Sequence, residues 1–469
     1  MSTQLIIALS IIAILVLGLT YMTGHLQKAL TYIYGDFTRN ERNKFLLYGV
    51  LFFLIIGNYW LMRSVKDGIF DTFVGAEYIL FAKMLSLSIM VPLAIGYSYL
   101  VDRFPRHRMF YAMSSIYAGL FIALALFMSN ESFGLYAPAD DRWALFGWVS
   151  YVAIESFGSL MAVLFYSFMA DTTTPEGGKK AFYVTATFGQ LGAILGSGAV
   201  AKYSTGYGVN TLLLTSACVL FLVPVLVRYM LWAIPAEEFR GYVAKGEGKV
   251  DKANKKSKPG FTEGLKLIVS QPYLLGIFVV VASFEVVATV FDLQFKVLIK
   301  EFAQGDPNVF AAYSGNFGMW VSALALASIL LGIGNVGRKV GLKLSLAALP
   351  ILMVVNTVIM YNSPILSVAF WVMVASKGIN YALGQPSKEQ LYIPTSKEAK
   401  YKSKSWVDMF GSRLSKASGG GIKGIQLLLG GKFLGPSIIL GVVCALWFFT
   451  ALYVGNKHKH ALEHNEVVC

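Results

Sequence analysis

Pro235 to Phe261 read PAEEFRGYVAKGEGKVDKANKKSKPGF, the only long polar stretch in the chain. Gly, Pro and Lys at that density make a solvated connector rather than a packed element. Outward from it, on both sides, the sequence changes character. Apolar blocks of about 17 to 25 residues recur, the length a helix needs to cross about 30 Å of hydrocarbon. Hydrophobic residues make up 56% of the 469 and charged residues 14%, where a soluble domain carries about a quarter charged. Unpaired backbone polar groups are not tolerated in lipid, so repeated blocks of this length mean a bundle of spanning helices.

Six blocks precede the connector, at about 45–62, 79–100, 109–128, 143–167, 182–202 and 209–233. Six follow it, at about 263–298, 312–336, 341–361, 364–383, 405–430 and 434–455. The expected fold is an all-α polytopic membrane protein, a 6+6 helix bundle of the major-facilitator type with an extra N-terminal hydrophobic helix. The expected divisions are an N-terminal segment 1–44, a first six-helix half 45–233, a connector 234–262, a second half 263–455 and a tail 456–469. Leu5–Tyr21 is apolar on all faces and lacks the basic start of a signal peptide, which suits a retained spanning helix. An amphipathic stretch that could lie along the cytoplasmic membrane surface follows it.

The net charge of +14 does not point to nucleic acid, because the excess lies in short loops. Alternating the loops from a cytoplasmic Lys28–Lys44 segment puts 26 Lys and Arg on the cytoplasmic side. Only Arg63, Lys66, Arg142, Lys300 and Lys432 fall opposite. That asymmetry is the positive-inside bias, and it places the connector and the C-terminus in the cytoplasm. Cys218, Cys444 and Cys469 have no metal-like spacing, and no metal or cofactor is expected.

Nine cations remain within or beside helices. Lys202, Arg228 and Lys266 sit near helix ends, where long side chains reach the interface. The other six, Lys83, Lys296, Lys377, Arg413, Lys416 and Lys423, lie deeper, opposed by Glu155, Glu285, Asp292 and Asp408. Each buried charge costs at least about 2.5–3.5 kcal/mol on insertion scales, so the set implies a solvent- or ligand-filled cavity. On the eleventh helix Arg413, Lys416 and Lys423 fall within about 80° of one another. The run Gly419–Gly421 beside them lets the helix loosen or a neighbour come close. On the seventh, Glu285, Asp292 and Lys296 share a face, and Asp292–Lys296 has the spacing of an ordinary structural ion pair. Glu155 has no basic residue within a turn and needs a partner from another helix, Lys83 or a cavity lysine. More cations than acids suits a multiply charged anion and fits a sugar or cation poorly. The sequence lacks GxxxxGK[ST], HExxH, GxSxG and CxxC, and all five His lie in loops or tails, so nothing looks built for hydrolysis or for phospholipid chemistry.

Five segments carry a family resemblance: Phe45–Phe70 (FLLYGVLFFLIIGNYWLMRSVKDGIF), Gly75–Leu100, Glu155–Asp171 (ESFGSLMAVLFYSFMAD), Phe291–Phe302 (FDLQFKVLIKEF) and Ser387–Gly420. They resemble the ATP/ADP translocases of obligate intracellular bacteria and plastids. The resemblance implies exchange of ATP for ADP, with nucleotide-handling charges falling on Lys83, Glu155, Asp292 and Lys416. Asp292 stands where the family has Glu, one methylene shorter. Lys296, Lys377 and Arg413 complete the expected substrate site, Glu285, Asp408 and Lys423 are expected to gate or couple, and Tyr166 or Tyr381 is expected to stack on the base. The expected partners are a nucleotide and the lipid bilayer, the expected state a monomer that is not an enzyme, and the expected location a bacterial inner membrane. Proton-coupled import of a nucleotide or another organic anion stays open as the alternative.

Overall fold

The computed structural model describes residues 38–135, 137–138, 142–173, 175–239, 261–330, 341–396, 403–404, 406–407, 411–428, 434–464 and 466–468. Residues 5–21, most of the connector and Asp408 lie outside this set, as does the side chain of Lys423. The described chain is helical, without strands. Eight of its helices are long and apolar enough to cross a membrane, and Leu366–Ile379 is a shorter apolar one.

The first half contains α1 (Arg39–Phe73), α2 (Ile79–Arg103), α3 (Arg106–Met128) and α4 (Ala144–Asp171). Pro175–Ala233 then runs as α5 (175–207) and α6 (209–233) around a break at Gly208. Unbroken, those 59 residues would reach about 88 Å, nearly three bilayer cores. Gly208 turns the chain at φ 80°, ψ 155°, a conformation open to glycine. In the second half a short helix, Phe261–Ser270, leads into α7 (Pro272–Ala303). It is followed by α8 (Pro307–Leu330), α9 (Leu342–Asn362), α10 (Leu366–Ile379), α11 (Ser412–Leu428) and α12 (Leu434–Glu463). The buried apolar side chains form two main clusters, one from 45–234 with Ala311, the other from 273–454.

The sequence reading ends the first helix at 62, but α1 continues eleven residues further, to Phe73. Its start is fixed by a capping box: Thr38 Oγ1 accepts from the Glu41 amide and the Glu41 carboxylate accepts from the Thr38 amide. Its 35 residues span about 52 Å, and the last third is buried in protein rather than exposed as a loop. α1 therefore carries Arg63, Lys66 and Asp67 into the middle of the bundle and Asp71 toward one end of it. Small residues let α5 press against it: a Cβ on Gly196 would stand 2.0 Å from the Gly57 carbonyl oxygen.

The seventh predicted helix is likewise two helices, broken at Gln271, where Pro272 starts α7. The glycines of α11 serve close approach. A Cβ on Gly419 would meet the Val286 carbonyl oxygen of α7 at 2.6 Å, and one on Gly420 would meet Leu80 of α2 at 2.0 Å. The tenth helix extends beyond Ile379 through a π-helical turn, Asn380–Gly384, a form enriched at functional sites.

One end of the bundle, here the distal end, carries the α1–α2 turn at Gly75, the α5–α6 break and the α7–α8 turn at Gln304–Gly305. There the halves meet closely. Ser204 Oγ donates to the Asn308 carbonyl at 2.9 Å, and the Val209 amide donates to Asn308 Oδ1 at 2.9 Å.

A basic cavity between the two halves

A cavity of about 240 Å³ lies between the halves, lined from α1, α2, α4, α7, α10 and α11. Lys83, Glu155, Asp292, Lys296, Lys377, Arg413 and Lys416 all line it. So do three residues the sequence reading assigns to a loop or leaves out: Arg63, Lys66 and Asp67. The lining therefore has seven cations against three carboxylates, an excess of four formal positive charges.

The ion pairs follow from which helices face each other. Within the first half, α1 and α4 pack side by side, and Lys66 donates to Glu155 across them. Lys66, not Lys83, is the partner Glu155 needs. The Lys66 side chain is only 7% exposed, and its ammonium lies 4.1 Å from the Tyr151 ring centroid, a cation–π contact.

Between the halves runs a chain of four charges. Lys83 of α2 donates to Asp292 of α7 at 2.9 Å, the same Asp292 oxygen lies 3.2 Å from Lys296, and Lys296 reaches Asp67 of α1 at 2.8 Å. Charges thus alternate N-half cation, C-half acid, C-half cation, N-half acid. Further toward the distal end, Lys300 of α7 sits 2.6 Å from Glu77 and 3.5 Å from Asp71. The halves are latched by charge from the cavity floor to the distal surface.

Other cations are uncommitted. Arg63 lies over the Trp60 ring at 4.7 Å and Lys377 lies 5.9 Å from the Phe284 centroid. Among the described residues neither they nor Arg413 has a carboxylate within ion-pair distance. Lys416 stands 3.6 Å from Glu285, beyond hydrogen-bond reach, and is 45% exposed, while Ser412 donates to the other Glu285 oxygen at 2.9 Å. The cavity joins loosely held cations to tightly paired ones, an arrangement suited to an anion that arrives with several charges.

Neither Tyr166 nor Tyr381 lines the cavity. Tyr166 packs on Phe52 and Phe165, and the aromatic rings at the cavity wall are those of Tyr59 and Tyr151. Arg63, Lys66, Asp67 and Asp71 were hidden by their own charge, which reads as loop. Their spacing of 3, 4 and 8 residues from Arg63 is the signal that could have found them, since it keeps all four on one helical face.

Membrane-length helices in two packed halves, closed around a charged central cavity, define a facilitator-type membrane transporter. Solved transporters share this architecture: the nucleoside transporter NupG superposes with a TM-score of 0.57 at 14% identity, over 88% of this chain and 99% of the other. A bacterial homolog of the human lysosomal transporter Spinster gives 0.54 at 13%, over 90% and 99%. Residues 22–375 and 362–458 match the TLC ATP/ADP transporter model, and the chain belongs to that family. ADP,ATP carrier protein 1 of Rickettsia prowazekii is 24% identical over 487 residues, covering 91% of this chain and 95% of the relative. The chloroplastic ADP,ATP carrier protein 2 of Arabidopsis thaliana is 26% identical over 480 residues, 89% of this chain and 75% of the relative. The family is one of transporters rather than enzymes.

Proposed function

We infer that the chain exchanges ATP and ADP across a membrane by alternating access, with the nucleotide phosphates held in the basic cavity. The observation that carries this reading is the lining's excess of four positive charges, in a family whose relatives are named ADP,ATP carriers. Arg63, Lys377 and Arg413 meet the phosphates first, since no carboxylate has to be displaced from them. Lys83, Lys296 and Lys416 are drawn in next, away from Asp292, Asp67 and Glu285. Loosening Lys83–Asp292 unlatches the halves, so arrival of the nucleotide weakens the distal closure. Without an anion, the lysines return to their carboxylates and the latch re-forms. Substrate is therefore needed on both strokes, which makes exchange the natural mode.

The positive-inside bias supports a distal end on the extracytoplasmic side and a cytoplasmic connector and C-terminus, and we take the membrane to be a bacterial inner membrane. A single chain carries the whole cavity, which supports action as a monomer. Each cavity carboxylate faces a lysine, so a coupling proton would first have to displace a cation, which favours exchange over proton coupling.

Lys416→Ala is expected to abolish ATP uptake by expressing cells while the protein still reaches the membrane, because its half-exposed ammonium contributes little to folding. Uptake at the wild-type rate would remove Lys416 from the site. Uptake by the unaltered protein that stops when the proton gradient is collapsed would favour the proton-coupled alternative.

A further inference from the structure

Phosphates account for the charged part of the cavity but leave its uncharged wall without an occupant. That wall includes Tyr59 on α1 and Met84, Leu87 and Met90 on α2. Tyr59 stands four residues before Arg63, so the ring and the uncommitted guanidinium lie on one face of α1, a turn apart. Tyr151, the other ring at the wall, is 1% exposed and already covered by the Lys66 ammonium. Tyr59 is held in place by an absence. A Cβ on Gly158 of α4 would stand 2.1 Å from Tyr59 Cε2 and 2.2 Å from Cδ2, so the ring rests on bare helix backbone. Glu155, Gly158 and Ser159 share the face of α4 that presents both the ion pair and this seat. In the same lining, the methionine side chains of α2 supply an unbranched, polarisable surface suited to a flat heteroaromatic ring. A second observation points to a polar edge on the occupant: Ser86, 3% exposed and lining the same cavity, has a hydroxyl without a hydrogen-bond partner among the described residues. A purine or pyrimidine has two faces to stack and an edge of donors and acceptors to meet such a hydroxyl.

We propose that Tyr59, seated on Gly158 in the same cavity as the methionines of α2, is the nucleobase platform, with Ser86 meeting the base edge. This rests on the nucleotide reading above and adds which side chains tell a nucleotide from a bare polyphosphate. Aromatic stacking on a base is worth about 5- to 100-fold in affinity when the ring is removed.

The test compares ADP with inorganic tripolyphosphate as ligands of the purified full-length protein, by ligand-induced shift of its thermal melting. Binding is read separately from transport. For Tyr59→Leu the ADP concentration giving half the maximal shift is expected to rise about 5- to 100-fold, with tripolyphosphate unchanged. Tyr59→Phe, which keeps the ring, should recover most of the loss. Gly158→Ala, which pushes the ring off its seat without removing it, should weaken ADP selectively, and it serves if Tyr59→Leu does not fold. Equal weakening of both ligands, no change in ADP, or a Tyr59→Phe defect as large as that of Tyr59→Leu would overturn the platform. A wild-type protein that binds tripolyphosphate as tightly as ADP would also overturn it while leaving an anion site. A wild-type protein that binds neither would overturn the nucleotide reading itself.

Discussion

Asp292→Asn is expected to lower ATP/ADP exchange at least about 100-fold, because it removes the one carboxylate that joins Lys83 to Lys296. Removing one partner of a buried ion pair costs about 3–5 kcal/mol, since the other charge is left without compensation. A loss of that size on the transport cycle is about two to nearly four powers of ten. The asparagine can still accept a hydrogen bond from one lysine, so the variant should fold. What it loses is the attraction that lets the empty cavity close and the phosphates re-open it. Asp292→Glu keeps the charge with one more methylene and should recover a large part of the rate. Counterflow in proteoliposomes holding equal amounts of each protein checks this, and an asparagine variant near the wild-type rate would show that the Lys83–Asp292–Lys296 chain is structural furniture.

Glu155→Gln acts on the other pair and should be read first in stability. Lys66 is almost wholly enclosed between α1 and α4, whereas the Glu155 side chain is 36% exposed, so solvent screens part of the loss. The expected destabilisation is about 3 kcal/mol, the low end for a broken buried pair. Replacing both partners with apolar residues, Lys66→Met with Glu155→Leu, should restore much of the thermal stability, because no charge is then stranded. The same double variant should not transport, since both residues line the cavity. Thermal melting of the detergent-solubilised proteins separates these outcomes: a single Gln variant as stable as the wild type would mean that Lys66 finds another partner.

The sequence carried the bundle well and its charged segments poorly. Apolar blocks announce themselves because lipid forbids much else, and the boundaries of α2, α3 and α9 fall within a few residues of the apolar limits. α1 shows where that logic stops. RSVKDGIFD looks like a loop when charge is taken as a sign of water, yet Lys66 and Asp67 are both buried. Their charges are compensated by Glu155 and Lys296, partners separated by 89 and 229 positions in the chain, and no local pattern reveals such a match. The deep cations were found on cost alone, and the cavity brings Lys83, Lys296, Lys377, Arg413 and Lys416 together. Of their pairings only Asp292–Lys296, four residues apart on one helix, was legible. Glu155 looked as likely to meet Lys83 as any other lysine until the crossing of α1 and α4 put Lys66 nearest. Tyr59 was invisible for a similar reason, since one tyrosine among 25 stands out only when Gly158 is seen beneath it.

Nucleotide exchange through the basic cavity is tested most directly by uptake of radiolabelled ATP into proteoliposomes holding the purified chain, loaded with ADP or left empty. Exchange predicts saturable uptake into the loaded vesicles, little into the empty ones, and release of the label when ATP or ADP is added outside. Equal uptake with and without internal ADP, or none in either case from protein shown to be folded in the bilayer, would contradict it.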